Sequence, residues 1–209
     1  MGIGTGNAAL PFLKAGGRVF GVELTPAMAQ KGAKRLAEEG FAARALYTIA
    51  PAERAPIGCE AADAAVSRNV FHHFADPRAV FTEMAWTVRP GGHVFVIDFY
   101  DPEDEAEREI LNRVEFLRVP SHVRTLALSE FRAMYESSGL MLLDPMTSTS
   151  RTRFADWMKG TNPAPGDYSR ILGDMEWLRG SGGSWWDVEG EGDEMHFTRK
   201  RVILTGRKD

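Results

Sequence analysis

Short apolar runs alternate with amphipathic stretches along most of the chain. Each run is bounded by turn-forming residues, a pattern typical of strands buried within a parallel sheet. The predicted strands cover about 18–23, 43–47, 63–67, 93–98, 140–143 and 202–205. The predicted helices between them cover about 7–15, 26–39, 77–88, 103–117 and 128–138. This alternation predicts an α/β fold with a doubly wound, mostly parallel sheet.

Capping and turn residues mark several of these boundaries. Thr25 is a candidate helix N-cap, with Pro26 at the first helical position. The acidic residues of 103–109 suit the positive end of a helix dipole. Residues 89–92 (Arg-Pro-Gly-Gly) predict a turn between a helix and the strand at 93–98.

The region before the last predicted strand differs in composition. Residues 150–198 are rich in Trp and Gly and hold two helical patterns, at about 153–159 and 167–179. We expect residues 1–209 to form a single domain in which 150–198 is a variable insert between the last two strands. The insert is either a substrate lid or a packing element at the sheet edge, and the sequence leaves both open.

Composition sets broad limits on function. The 209 residues are 44% hydrophobic and 26% charged, which suits one globular domain with a substantial core. A net charge of -4 argues against broad electrostatic binding to nucleic acid or to an anionic membrane. The single cysteine, Cys59, suits a reducing compartment, and the chain contains no apolar run long enough to span a bilayer. We therefore expect a cytoplasmic protein without nucleic-acid or membrane partners.

The first candidate site is the glycine cluster, defined as Gly2, Gly4 and Gly6. Closely spaced glycines between a strand and a helix let the backbone approach a ligand, and the N-terminus of the predicted helix at 7–15 offers unpaired N–H groups. A phosphate or an amino-acid carboxylate could use that position. Glycine-rich turns are common, so this motif is weak when taken alone.

Glu23 strengthens the case for a ligand site at the glycine cluster. It ends the second strand of a strand–helix–strand unit, about 20 residues after the cluster. A carboxylate there can accept hydrogen bonds from both ribose hydroxyls, and with the glycine cluster this role is favoured over a merely solvated charge at a strand end. The glycine spacing G-x-G-x-G places Asn7 where a dinucleotide fingerprint needs its third glycine. A nucleoside with a short carboxylate tail is therefore favoured over NAD(P), and a nicotinamide-dependent oxidoreductase is the weaker alternative.

Four segments in order and spacing resemble the successive motifs of class I S-adenosylmethionine-dependent methyltransferases. The closest group is the set similar to the ubiquinone/menaquinone-biosynthesis C-methyltransferases, and the resemblance covers residues 2–145. The segments are 2–6 (Gly-Ile-Gly-Thr-Gly), 21–28 (Gly-Val-Glu-Leu-Thr-Pro-Ala-Met), 63–77 with its His-His-Phe-Ala-Asp-Pro ending, and 89–92.

The resemblance implies a seven-stranded, Rossmann-like sheet with an antiparallel last strand, and S-adenosylmethionine as the cofactor with S-adenosylhomocysteine as its product. It also implies that the glycine cluster lines the methionine part of the cofactor. Glu23 would bind the ribose and Met28 would lie against the adenine.

The resemblance implies further cofactor contacts beyond the second strand. Arg68 and Asn69, at the end of the strand at 63–67, would lie near the transferred methyl group. Leu24, Ala52 and Glu53 complete the predicted cofactor-binding set.

The chain departs from the family pattern in three places. Family members carry an acid two residues before the first glycine, within a full first strand, and this chain begins at Met1. We therefore expect the first strand to be largely missing, which would expose two strand edges. Pro51 stands where the family usually has an Asp that contacts the adenine amino group, so that contact would pass to the backbone or to Glu53. Ala62 stands where an aromatic residue commonly precedes Asp63.

Methyl transfer needs an aligned acceptor more than it needs side-chain chemistry, because the sulfonium is already an activated donor. A general base is required only if the acceptor must lose a proton. Candidate catalytic residues are His72, His73 and His122, each of which could instead serve only in packing or capping. Asp98 and Tyr100 follow the strongest predicted strand and are either acceptor contacts or loop residues with internal partners.

The aromatic residues of the insert are either a cap over an apolar substrate or the core of the insert. They are Phe154, Trp157, Trp177, Trp185 and Trp186.

Two functional hypotheses of different kinds remain. The first is transfer of a methyl group from S-adenosylmethionine to a small organic acceptor by in-line displacement, by a monomer or homodimer. The second is a catalytically degenerate protein of the same fold that binds the cofactor or a partner. No His/Cys cluster has metal-ligand spacing, so no metal is predicted.

Overall fold

The computed structural model describes residues 1–182 and 184–209, so Gly183 of the predicted insert lies outside the described residues. Its strands are β1 (Val19–Glu23), β2 (Ala45–Ile49), β3 (Ala62–Arg68), β4 (Val88–Phe99), β5 (Leu140–Leu142), β6 (Met146–Arg153) and β7 (His196–Lys208). Its helices are α1 (Leu10–Lys14), α2 (Pro26–Glu38), α3 (Pro77–Thr87), α4 (Glu105–Arg118), α5 (Leu128–Ser137), α6 (Phe154–Met158) and α7 (Asp167–Gly180). Short 3₁₀ turns cover Ala52–Arg54, Phe71–His73 and Gly192–Glu194.

The strands form two sheets. β1 and β2 make a parallel pair, and the second sheet has the order β3-β4-β7-β5, with β6 also paired to β7. β3 and β4 are parallel, whereas β7 is antiparallel to each of its three neighbours, so it alone runs against the direction of the second sheet. The predicted α/β class with an antiparallel last strand is confirmed. The single seven-stranded sheet that the resemblance implies is not formed by the described residues.

The main core lies between β4 and the helices that cover it. Val94 and Val96 alternate with partly buried residues along β4 and are fully buried, as expected for one covered face of a central strand. Complete burial of each such side chain contributes on the order of 1.5–3 kcal/mol. Phe81 of α3 packs edge-on against Tyr135 of α5, whose hydroxyl donates to the carbonyl of Leu204 at 3.1 Å. This packing fixes β4, and with it the residues that follow its end.

Several sequence-based boundaries were wrong, and one strand was missed. The helix predicted at 7–15 is the short α1, because residues 4–9 form turns instead. Residues 89–92 do not form the predicted turn before a strand: β4 already starts at Val88, and its pairing with β3 advances from Val88 to His93 while β3 advances only from Ala62 to Ala64. The predicted turn is therefore absorbed as an irregularity within β4. β6 was not predicted, since its Ser, Thr and Arg residues show no apolar face.

A second core lies around the C-terminal part of the chain. β6 and the first half of β7 pair from Arg153–His196 to Met146–Ile203, so residues 150–153 and 196–198 of the predicted insert are strand. Phe154, Trp157 and Trp186 are buried with apolar residues of α4 and α7, which makes them core residues and not a substrate cap. Trp177 is 56% exposed. The division into one domain with a lid stays a prediction.

A charged network joins this second core to the main sheet. Glu115 of α4 is buried and pairs with Arg199 of β7 at 2.5 Å and with Arg118 at 2.9 Å. The guanidinium carbon of Arg199 also lies 3.5 Å from the ring centroid of Phe99, at the end of β4. Opposite charges in contact offset the cost of burying each of them. The network holds α4 against the strand ends where the site lies.

Candidate functional site

The glycine cluster adopts a backbone conformation that suits glycine. The φ angles of Gly2, Gly4 and Gly6 are +60°, +54° and +84°, all in the left-handed region that L side chains rarely occupy. The cluster therefore forms a tight turn beside the C-terminal end of β1. α1 begins only at Leu10 and is five residues long, so the helix-dipole contribution expected from a helix at 7–15 is small.

Glu23, the last residue of β1, is hydrogen-bonded directly to the glycine cluster. Its Oε2 accepts from the backbone nitrogen of Gly4 at 2.9 Å, and its Oε1 accepts from the backbone nitrogen of Thr25 at 3.0 Å. A carboxylate has about four lone-pair sites, so both oxygens can still accept from a ligand. The structure thus brings together the two sequence features on which the predicted cofactor site depends. Thr25 caps α2 without a side-chain hydrogen bond, and Pro26 occupies the first turn as predicted.

Met28 and Leu24 form an apolar rim beside this turn. A Cβ added to Gly4 would lie 3.7 Å from the Met28 Cε, so the methionine side chain faces the glycine across a narrow gap. Leu24 is 67% exposed, an unusual position for a leucine directly after a buried strand. An apolar rim next to a carboxylate suits a nucleoside. The base can pack against the apolar side chains while the sugar hydroxyls donate hydrogen bonds to the carboxylate.

Asn69 directly follows β3, in the loop that packs against Gly2. A Cβ on Gly2 would come within 2.6 Å of Val70, so the cluster packs directly against the residue after Asn69. Asn69 has a φ of +52°, and its side-chain oxygen is buried with no hydrogen-bond partner among the described residues. A buried acceptor without a donor is costly, and a ligand ammonium group would supply one. Arg68, by contrast, is exposed at the end of β3.

Residues 51–53 are only partly brought into this site. The nitrogen of Ala50 donates to the Glu23 carbonyl at 3.1 Å, which places the start of the segment beside β1. Ala52 is buried in the main core. Glu53 lines a separate surface hollow of about 560 Å³ together with Trp86, and neither Glu23 nor the glycine cluster lines that hollow. The geometry therefore favours backbone groups over Glu53 for the predicted adenine contact.

Tyr47 and Arg35 contact the turn at residues 4–7, although the sequence analysis did not single them out. The Tyr47 hydroxyl donates to the Gly4 carbonyl at 3.4 Å, and Arg35 donates to the side-chain oxygen of Asn7 at 2.6 Å. Burial raises the pKa of the Tyr47 hydroxyl, and the charge of Glu23 raises it further, so this hydroxyl stays a donor at neutral pH. No sequence pattern indicated that Tyr47 contacts the glycine cluster, because the residue lies in a segment with only a weak strand pattern.

The loop after β3 is held by Asp98, near the end of β4. Its Oδ2 accepts from the backbone nitrogens of Val70 and Phe71 at 2.9 and 2.8 Å. Its Oδ1 lies 2.7 Å from His72 Nδ1. Because Asp98 is fully buried and ionised carboxylates only accept, Nδ1 carries the proton and donates. Neutral His72 then has its lone pair on Nε2, as a proton acceptor requires.

His73 and His122 are placed differently. His73 Nδ1 donates to the Ser121 carbonyl at 2.8 Å, and burial lowers the pKa of its imidazole. His122 Nε2 donates to the side-chain oxygen of Asn112 at 2.9 Å. The pKa of His122 is lowered to about 4, chiefly by burial; the charge of Glu115 opposes this shift, and the neighbouring His72 and His73 add to it. The three rings cluster, with centroids 4.3 to 6.4 Å apart, yet only His72 combines a carboxylate partner with partial exposure.

Asp98 and Tyr100 were predicted as acceptor contacts, and the structure gives both residues internal partners. The Tyr100 carbonyl accepts from the Trp185 indole nitrogen at 3.2 Å, and the two rings meet edge-to-face with centroids 5.5 Å apart. Asp98 positions the loop at 70–72. Within residues 1–182 and 184–209, no group of three or more His, Cys, Asp or Glu side chains is arranged to hold a metal ion. Nor does any helix in those residues have the length and apolar character needed to cross a membrane.

Known proteins match the chain over the segment that builds this site. The model of a methyltransferase domain family matches residues 1–96. The uncharacterized methyltransferase YcgJ of Bacillus subtilis is 32% identical over 165 residues, which cover 78% of this chain and 65% of that protein. The ubiquinone/menaquinone biosynthesis C-methyltransferase UbiE of a Marinomonas strain is 23% identical over 139 residues, covering 64% of this chain and 55% of that protein. The chain thus spans less than two thirds of the length of either relative.

The fold matches as well. The crystal structure of the YcgJ protein from Bacillus subtilis aligns with a TM-score of 0.89 at 27% identity, over 99% of this chain and 89% of that chain. The family match spans the glycine cluster, Glu23, Met28 and Asn69, which the structure gathers at the ends of β1 and β3. These similarities support a class I S-adenosylmethionine-dependent methyltransferase, with the methyltransferase domain family matched over residues 1–96.

Proposed function

We propose that this protein transfers the methyl group of S-adenosylmethionine to a small organic acceptor. The observation that carries the proposal is the hydrogen bond from the Gly4 nitrogen to the Glu23 carboxylate, which joins the glycine turn to the acid at one strand end. In an open α/β sheet that edge is where ligands bind. Membership of the methyltransferase family supports the class of reaction, and the acceptor is part of the proposal.

The residues present fit this cofactor. The glycine cluster leaves space for the amino-acid tail of the cofactor to lie against the backbone. Glu23 can accept hydrogen bonds from the ribose hydroxyls, and Met28 offers an apolar surface to the adenine. The partnerless oxygen of Asn69 suits the cofactor ammonium group. When bound, the cofactor supplies an electrophilic methyl carbon on a sulfonium. The role of the chain is to orient the donor and acceptor and to exclude water, and such alignment is worth about 7–11 kcal/mol in well-ordered cases.

His72 is the residue we propose to accept a proton when the acceptor carries one. The buried Asp98 holds the ring through Nδ1, which fixes the tautomer and leaves Nε2 free to accept. Asp98 would also stabilise the imidazolium formed by that transfer. His122 is unsuited to the role, since it is buried and its Nε2 proton is engaged by Asn112.

A two-stage experiment tests the proposal. Calorimetric titration with S-adenosylmethionine and with S-adenosylhomocysteine measures binding. Incubation with methyl-labelled cofactor and a panel of phenols, amines, carboxylic acids and quinol-type compounds then detects methylated products. The proposal predicts saturable binding of both cofactor forms and label transfer to at least one acceptor. Absence of binding would overturn it.

The second candidate is a protein of the same fold that binds the cofactor or a partner without turnover. Two observations favour it: the sheet is split between β1 and β3, and Pro51 is exposed where the resemblance calls for an adenine-binding Asp. Saturable binding of S-adenosylmethionine with no product from any acceptor class would support this candidate over the enzyme.

A further inference from the structure

Arg201 of β7 carries a charge that the described part of the chain does not neutralise. Its Nε is buried without a hydrogen-bond acceptor, and its guanidinium forms no ion pair with any described Asp or Glu residue. The guanidinium carbon lies 4.7 Å from the ring centroid of Phe99. Buried donors without an acceptor are rare in folded proteins, and a bound ligand can supply the missing acceptor.

The buried acids of this region are engaged by other groups. Glu115 is shared between two arginines, of which Arg199 is one. Asp98 accepts hydrogen bonds from the loop that follows β3. The guanidinium carbon of Arg199 lies 3.5 Å from the Phe99 ring that Arg201 also contacts, so two like charges lie close together. An anion bound at Arg201 would reduce their repulsion.

β6 adds hydroxyl donors beside these two arginines. Arg201 is paired directly with Ser148, and Arg199 is paired with Ser150. Directly paired residues of antiparallel strands share one face of the sheet, with Cβ atoms about 4.5–5.5 Å apart. Both serines are exposed, so their hydroxyl groups are accessible. A guanidinium flanked by hydroxyl groups is a donor set suited to the oxygens of a carboxylate or a phosphate.

This donor set lies at the sheet edge that carries the proposed reaction centre. Phe99, the last residue of β4, is paired with Arg201. The ring centroids of Phe99 and His72 are 6.5 Å apart. Ligands of open α/β sheets bind outside the carboxyl ends of the parallel strands. Because Phe99 neighbours both side chains, a molecule held at Arg201 can extend across its ring toward His72.

We propose that Arg201, with Ser148 and Ser150, binds the anionic group of the methyl acceptor, and that the acceptor is a small organic acid. It carries a carboxylate or phosphate group together with a separate hydroxyl or amine that is methylated. The lone pair of that hydroxyl or amine forms the bond to the methyl carbon, the electrons of the methyl–sulfur bond remain on sulfur, and the released proton passes to His72 Nε2. The acceptor class rests on the proposed function, whereas anion binding at Arg201 does not.

The first test measures anion binding without turnover. Benzoate and phenyl phosphate are titrated into the protein with and without S-adenosylhomocysteine, and benzamide serves as the uncharged probe. Arg201→Gln removes the charge, and the matched control is Arg207→Gln, on the same face of β7, where Arg207 pairs with Asp209. We expect Arg201→Gln to weaken binding of the tighter anion by at least about tenfold, and Arg207→Gln to leave it unchanged.

Each remaining result of the titrations has a defined meaning. The anion that binds more tightly identifies the acid group of the acceptor as carboxylate or phosphate. Equal affinity of wild type and Arg201→Gln for both anions overturns the proposal, and so does binding of benzamide as tight as that of the anions. If Arg201→Gln fails to fold, Arg201→Lys keeps the charge and loses the planar fork of donors, and unchanged anion binding by that variant overturns the proposal.

The second test compares methyl transfer to acids and to their amides. Hydroxybenzoates, aminobenzoates and hydroxyphenyl phosphates are offered with labelled cofactor beside the corresponding uncharged amides and phenols. We expect transfer to an acid, and Arg201→Gln should raise its KM by at least about tenfold with a smaller change in kcat. Preference for the uncharged compounds overturns the acceptor class. If no compound is methylated while anion binding still depends on Arg201, the proposed function fails and the anion site stands.

Discussion

His72 Nδ1 lies 2.7 Å from Asp98 Oδ1, although 26 positions separate the two residues in sequence. β3 and β4 are paired up to Arg68 and Ile97, so the residues after one strand end meet the residues at the other. The buried carboxylate orients the ring and sets which nitrogen carries the proton. This is the relationship that distinguishes His72 from the other two histidines of the cluster.

His72→Gln tests the proton-accepting role. With an acceptor that must lose a proton, we expect kcat to fall by roughly 10²–10⁴ and the acidic limb of the kcat pH profile to disappear, while cofactor affinity is unchanged. His93→Gln, on β4 outside the cluster, is the matched control. A His72→Gln enzyme with wild-type kcat and pH profile would remove this residue from the mechanism.

Gly4→Ala separates backbone strain from ligand contact. Gly4 has a φ of +54° and Gly16 a φ of +90°, and Gly16 has no atom within 4 Å of an added Cβ. Both alanine variants should lose about 1–2 kcal/mol of unfolding free energy, the cost of the left-handed conformation. Only Gly4→Ala should also weaken binding of S-adenosylmethionine in a titration, because its Cβ would enter the space facing Met28. Equal affinity in the two variants would contradict the placement of the cofactor tail.

Asp101→Asn tests a buried carboxyl beside the charged network. The pKa of Asp101 is raised to about 7, chiefly by burial and next by the charge of the nearby Glu115, while Arg199 opposes both. A raised folded-state pKa means that the stabilising contribution is complete below the unfolded value of 3.8 and is lost as pH rises through about 7. The difference in free energy of unfolding, Asp101→Asn minus wild type, should therefore increase by on the order of 3 kcal/mol as the pH rises from 4 to 8.

Chemical denaturation at several pH values measures this difference, with the exposed Asp144→Asn as the matched control. His122 acts in the opposite direction in both proteins, since its lowered pKa makes stability fall with decreasing pH between 6.5 and about 4. Its contribution cancels in the comparison. A difference between Asp101→Asn and wild type that does not change with pH would refute the buried-carboxyl interpretation.

Local patterns predicted the elements that carry the cofactor site. The run that became β1, its terminal Glu23 and the Thr25-Pro26 start of α2 are all encoded by neighbouring residues, and α3 ends within one residue of its predicted end. The α/β class followed from the same alternation. These features depend on burial and capping within a few positions of one another.

Features formed by distant pairing could not be predicted this way. β6 has no apolar alternation and is a strand only because its backbone pairs with β7 from Arg153 to Met146. The tautomer of His122 depends on Asn112, whose own orientation is set by Thr125 and Arg108. The division of the strands into two sheets depends on distant pairing in the same way, as do the hydrogen bonds of Met1 to β3 and of Ile3 to β1.

Titration of S-adenosylhomocysteine into wild type, Glu23→Gln and the exposed control Glu38→Gln tests the central claim most directly. The comparison is repeated with an analogue that lacks the ribose hydroxyls. We expect Glu23→Gln to weaken binding of the parent ligand by about 1–3 kcal/mol, since a charged hydrogen-bond acceptor for the ribose is lost. The analogue should bind wild type and Glu23→Gln with similar affinity, and Glu38→Gln should match wild type. Equal binding of the parent ligand by wild type and Glu23→Gln would contradict a ribose held by Glu23 beside the glycine cluster.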